Sequence, residues 1–135
     1  PGTGDIALTL SQLLGLSGAV VVCTPQQVAL LDAVKAIAMF RKVNIPVLGV
    51  IENMSGEIFG RGGAQAKAEE LGVPFLGAVP IDAALRVNGD AGQIAANFAA
   101  GCPSREPLMR VCEQVAMQIV REVSGRSKLP TLEIL

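Results

Sequence analysis

The chain has 135 residues, half of them hydrophobic, and a formal net charge of -1. That size allows a core of its own, and that apolar content excludes an intrinsically disordered segment. The near-neutral charge, the lack of Trp and Tyr and the four Phe exclude a nucleic-acid surface built on a basic field and stacked bases, and the lack of His removes the commonest zinc ligand and general base.

In chain order, the first predicted element is a helix over Asp5 to Leu14, with Asp5 as a cap or first-turn acid and Ile6, Leu8, Leu10, Leu13 and Leu14 giving a broad buried face. Gly15 and Gly18 end it. Ala19 to Cys23 is a continuous β-rich apolar run, the pattern of a parallel strand covered on both faces. Gln26 to Val43 is the longest helical stretch, with Val28, Leu31, Val34, Ala38 and Phe40 among its apolar positions. Val47 to Ile51 is a second buried strand, followed by a Gly-rich loop over Glu52 to Gly63.

Ala64 to Leu71 reads as a short helix with Gly72 as its left-handed C-terminal stop. Phe75 to Val79 is a third strand. Asp82 is predicted to cap a short helix through Val87, with a turn at Asn88-Gly89-Asp90. The stretch from Ala91 to Pro103 has no clear period. Pro107 to Val123 is an amphipathic helix with the stripe Leu108, Val111, Val115, Ile119 and Val123. Lys128 to Leu135 reads as an added strand or a packed tail. Strands and helices alternate three times, which predicts an α/β fold with a parallel sheet flanked by helices, in one domain spanning residues 1–135.

No apolar run approaches the roughly 18 residues of a membrane span. No signal peptide opens the chain, and three cysteines without paired spacing are not a secreted disulfide framework. A cytoplasmic protein with neither a membrane nor a nucleic-acid partner is the expectation. The chain starts at Pro1, inside what reads as a loop, so it is expected to be part of a longer protein.

Ligands of open parallel sheets bind beyond the C-terminal ends of the strands. The segments at that edge are Thr24-Pro25-Gln26, Glu52-Asn53-Met54-Ser55 and Pro80-Ile81-Asp82, and the opening Pro1-Gly2-Thr3-Gly4-Asp5 is expected to join them. Asn53 offers a donor and an acceptor to a base edge, or it satisfies its own loop backbone. Gly60-Arg61-Gly62-Gly63 precedes a helix whose free N–H groups, with Arg61, could hold an anion, or it is a flexible lead into that helix. Cys23, Cys102 and Cys112 read as structural thiols.

PGTGD, VVVCTPQQVALLDAVKAIAMFRKVNIPVLGVIENMS, IFGRGGAQAKAEELGVPFLGAVPID and NGDAG, in this order, resemble the Mrp/ApbC family of iron–sulfur cluster carrier P-loop ATPases, relatives of MinD and ParA. The resemblance covers residues 1–92, and 93–135 match only in general character. It implies a partial deviant P-loop NTPase fold lacking the P-loop strand. It further implies a homodimer that binds ATP and Mg2+ and delivers clusters to apo iron–sulfur proteins, with a 4Fe-4S cluster that belongs to the family and that the cysteines here do not support. Gly2, Thr3, Gly4 and Asp5 resemble the tail of the family's switch II segment. Asn53 resembles its adenine-recognition residue, and Pro80, Ile81 and Asp82 the other wall of the adenine pocket.

Two departures stand out. The chain has no G-x-x-x-x-G-K-[ST] loop, so it holds no catalytic residue of the phosphate site, and these residues alone are expected to be inactive. The family's CxxC, which would let two subunits share a cluster, is absent between Ser55 and Gly56; either it is missing from this protein or a stretch falls between those two residues. The competing readings are a MinD/ParA-like positioning ATPase without a cluster, which the tail SKLPTLEIL does not favour because it makes a poor membrane helix, and a non-catalytic fragment whose open sheet edge pairs with another chain.

Overall fold

The computed structural model describes residues 5–126. Pro1 to Gly4 and the Lys128 to Leu135 tail lie outside the described residues. The elements run α1 (Asp5–Leu13), β1 (Ala19–Cys23), α2 (Gln27–Lys42), β2 (Val47–Ser55), α3 (Gly63–Leu71), β3 (Phe75–Pro80), α4 (Ala83–Asp90), a 3-10 turn (Ile94–Phe98) and α5 (Arg105–Arg126).

The three strands form one parallel sheet in the order β1-β2-β3. Alternate side chains of the strands feed two apolar clusters. Val21, Cys23 and Val50 pack with Leu30, Ala33 and Ile37 of α2 and with Ala64 and Ala68 of α3. Ile51, Leu76 and Val79 pack with Val111 of α5. Helices therefore pack against both faces of the sheet at β2 and β3.

Several expectations are corrected. β2 runs to Ser55, so Glu52 to Ser55 belong to the strand and not to the loop, because Ser55 still pairs with Pro80 of β3. The face that α2 buries is Leu30, Ala33, Ala36 and Ile37, while Val28 and Leu31 point to solvent. The small alanines let the helix axis approach the sheet closely, which the larger residues would prevent. The expected turn at residues 88–90 is helical. Arg86 and Asp90 pair one turn apart, and the chain reverses later, at Gly92 with φ 69°.

Surfaces expected to be buried are also open. Val22 is 58% exposed, so β1 is not covered on both faces. Ile6, Leu10 and Leu13 of α1 and the following Leu14 are exposed, and the helix joins neither core cluster. The stripe of α5 is buried at Val111 and half-buried at Leu108 and Val115. At Ile119 and Val123, beyond the sheet, it is exposed. β1 is an edge strand in the sheet order. An open groove of about 510 Å3 runs along it, lined by Val20 to Thr24, by Ala33, Ala36 and Phe40 of α2, and by Asn53 at one end.

Candidate functional site

Parallel strands place their C-terminal ends on one edge, and the structure brings there the three expected segments that lie wholly within the described residues. Cys23 pairs with Glu52, Glu52 with Ala78 and Ser55 with Pro80. The Ile81 N–H donates to the Ser55 carbonyl at 3.0 Å, tying the ends of β2 and β3. A Cβ built on Gly56 would come within 3.1 Å of Ile81 Cγ2, so Ile81 lies over the start of the turn that follows β2. Asn53, Pro80 and Ile81 thus lie at the same end of the sheet, where the groove that Asn53 lines is bordered by β1 and α2.

Asn53 is half-buried, and its Oδ1 accepts the N–H of Met54 at 2.9 Å. Met54 itself sits in the left-handed region at φ 56°. The side-chain oxygen is therefore used locally, and the Nδ2 group makes no hydrogen bond among the described residues.

Asp82 serves as the cap that the sequence predicts. One carboxylate oxygen accepts the Ala84 N–H at 2.9 Å and the other accepts the Ser104 hydroxyl. These bonds, the Ser104 one first, hold the Asp82 carboxyl below its ordinary range. Asp5 is not brought to this edge. With Leu8 and Gln12 it borders a groove with Ala38, Met39, Lys42 and Val43, the C-terminal half of α2, whereas Thr24 to Gln26 precede the N-terminus of that helix.

The residue that sequence reasoning passed over is Glu52. It is fully buried, and its two oxygens accept the Gly62 N–H and the Ala64 N–H, each at 2.9 Å. Two donors at the helix N-terminus, which the sequence left open as an anion site or a flexible lead, are therefore taken by Glu52, and Arg61 lies exposed beside them. The signal was available: a single acid closing an apolar β run, ten residues before a Gly-rich helix start. Gly63 belongs to the same joint. A Cβ there would meet the Pro25 carbonyl oxygen at 2.4 Å, so α3 begins in close contact with the segment after β1.

A metal centre has no ligand set among the described residues, which contain no group of three or more His, Cys, Asp or Glu that could share an ion. Cys23 is buried in β1, Cys102 is half-buried before α5 and Cys112 is exposed on α5.

The model of the ParA family described as the NUBPL iron-transfer P-loop NTPase matches residues 1–116. The chain belongs to this family. Its relatives include the iron-sulfur cluster carrier protein of Deinococcus radiodurans, 44% identical over 140 aligned residues that take in 96% of this chain and 39% of the relative. The carrier protein of Methanocaldococcus jannaschii is 39% identical over 139 residues, covering 95% of this chain and 46% of the relative. The mouse iron-sulfur cluster transfer protein NUBPL is 40% identical, covering 88% and 40%.

Among solved structures, the nucleotide-binding protein of Archaeoglobus fulgidus in complex with ADP superposes with a TM-score of 0.64 at 33% identity, over 76% of this chain and 48% of that one. The cell division ATPase MinD of Pyrococcus furiosus gives 0.65 at 21% identity, over 75% and 43%, a likeness of fold alone. This member of the NUBPL family spans less than half the length of these curated relatives. Two of the alignments are longer than the 135-residue chain itself, so those relatives carry residues within the match that this chain lacks.

Proposed function

We propose that the protein to which this chain belongs is an ATP-binding and ATP-hydrolysing iron–sulfur cluster carrier or assembly factor, and that this chain supplies the base side of its nucleotide site. The supporting observation is the shared edge: Asn53 near the end of β2 lies at the same end of the sheet as Pro80 and Ile81 of the segment that ends β3, with the Ser55–Ile81 bond joining the two strand ends. Asn53 offers Nδ2 to an acceptor on adenine, and the Pro80–Ile81 segment supplies an apolar wall.

The phosphate end of the site needs a Lys-bearing Gly-rich loop, whose backbone N–H groups and ammonium hold the β- and γ-phosphates and whose hydroxyl helps to hold Mg2+. This chain contains none, so we assign phosphate and Mg2+ binding to residues outside it and expect residues 1–135 alone to be inactive. Gly2 to Gly4 would then be the tail of the switch that senses the γ-phosphate. Homodimerisation, delivery to apo iron–sulfur proteins and a cytoplasmic location complete the proposal. Among the described residues no helix is long and apolar enough to cross a membrane.

The cluster is cargo in this reading, and the described residues do not form its binding site. The three cysteines sit on separate elements, and Ser55 leads directly into a turn closed by the Gly56–Gly60 bridge. We place the residues that the longer relatives carry at this turn, between Ser55 and Gly56. Equilibrium binding of ATP to the full-length protein tests the base-site assignment. Asn53→Ala is expected to weaken ATP about 10-fold, the equivalent of one lost hydrogen bond. Unchanged ATP affinity in that variant would remove Asn53 from the site.

A further inference from the structure

Glu52 lies in the central strand, is 0% exposed and has no role in the nucleotide contacts just proposed. Burying a carboxylate costs several kcal/mol unless hydrogen bonds replace its water. Here the replacement is two backbone N–H groups from a segment ten and twelve residues later, one on each oxygen. A carboxylate held at both oxygens cannot rotate freely about its own axis. The intervening turn is closed in addition by two mutual bonds between Gly56 and Gly60, at 2.9 and 2.8 Å. The Gly62 donor is presented by a left-handed backbone at φ 77°, a conformation that glycine adopts at little cost. Strand β2, the turn and the start of α3 are thereby locked into one unit, and Asn53 is the residue next to the lock.

We propose that Glu52 is a positioning residue for base recognition: its carboxylate fixes the end of β2 against the N-terminus of α3, and so fixes where the Asn53 amide stands. The inference rests on the base-site reading of Asn53. The same bonds take the Gly62 and Ala64 N–H groups at the start of α3.

The test compares Glu52→Gln, Glu52→Asp and Asn53→Ala in the full-length protein. Steady-state hydrolysis is measured with ATP and with GTP, alongside thermal melting. Gln keeps the shape, but its amide presents N–H to N–H at one of the two bonds. Asp keeps the charge but is one methylene too short to reach both donors. For a positioning role, KM for ATP rises about 10-fold in either variant, the preference for ATP over GTP falls with it, and kcat changes less than KM. Glu52→Asp carries the test if Glu52→Gln does not fold. A lower melting temperature with wild-type KM and wild-type base preference would overturn the proposal, because it would confine Glu52 to the scaffold. Asn53→Ala separates the two readings. If it loses base preference while the Glu52 variants keep it, only the positioning role fails. If it keeps base preference, the base site itself is misassigned and both fail.

Discussion

Ser104 gives its hydroxyl to the Asp82 carboxylate, and the other oxygen of that carboxylate takes the Ala84 N–H, so one side chain caps α4 and pins the start of α5. Ser104 is fully buried, and its own carbonyl accepts the N–H of Leu108 in the first turn of α5. The cap therefore holds the segment after β3 and the helix behind it in one arrangement.

This contact gives a pH dependence with a definite sign. The Asp82 carboxyl is held below its ordinary value in the folded chain, by Ser104 first and Ala84 second. The unfolded chain binds the proton more readily, so the contribution is present above the ordinary carboxylate range and is lost as pH falls through that range towards the lowered folded value. Ser104→Ala and Asp82→Asn are each expected to melt earlier than wild type at pH 7, by a margin that shrinks between pH 5 and pH 3. Melting curves across that range check it. A margin that stays constant with pH would place the effect in packing rather than in the carboxylate.

The alternation of apolar runs with helical stretches carried the fold. β1 has the bounds that its Ala-Val-Val-Val-Cys run predicts, and Gly72 stops α3 in the left-handed conformation at φ 62°. Asp82 capped the helix that the sequence assigned to it. The depth of burial was less legible, because it depends on partners far away in the chain. Nothing local says that Ala33 and Ala36 face inward while Val28 and Leu31 face outward, since that choice is made by how closely α2 approaches the sheet. Glu52 was hidden for the same reason. An acid at the end of an apolar run looks like the first residue of a loop until its two distant N–H partners are in place. That Asn53 and Pro80 fall at one end of the sheet was legible because parallel strands put their C-terminal ends together by construction. Asp5 was misplaced because the argument from strand ends does not govern a segment that precedes a helix.

Gly63 tests how tightly the joint between α3 and the segment after β1 is built. A methyl group there would sit 2.4 Å from a backbone carbonyl oxygen of Pro25, which has no flexible end to move aside. Gly63→Ala is expected to destabilise the protein by about 1–3 kcal/mol, the usual cost of overpacking, although alanine is the better helix former. Chemical denaturation of the intact protein measures it. A variant as stable as wild type would mean that α3 can shift away from Pro25.

Arg61 gives a contrasting prediction. It is exposed and flanks a helix N-terminus whose Gly62 and Ala64 donors are already taken by Glu52. With those two donors taken, Arg61→Ala is expected to leave ATP affinity within about twofold of wild type, as for most surface substitutions. A loss of 10-fold or more would show that this helix end does hold phosphate.

The three cysteines differ enough in environment to be told apart by reactivity. Burial first, and the neighbouring Glu52 second, push the Cys23 thiol up from its ordinary value. The folded chain therefore keeps a proton there that the unfolded chain gives up, and this part of the stability is present below the ordinary thiol range and is lost as pH rises through it. Cys112 is exposed and Cys102 half-buried. Iodoacetamide at pH 8 is expected to modify Cys112 first and Cys102 more slowly, and to reach Cys23 only when the protein unfolds, since the thiolate is the reactive form. Mass spectrometry after timed quenching gives the order. The same placement predicts the iron content. No pair of these thiols faces a common point with a third ligand, so Cys102→Ser/Cys112→Ser in the full-length protein should bind as much iron and sulfide after anaerobic reconstitution as wild type. A fall to half or less would make one of these cysteines a cluster ligand and would return the cluster site to this part of the protein.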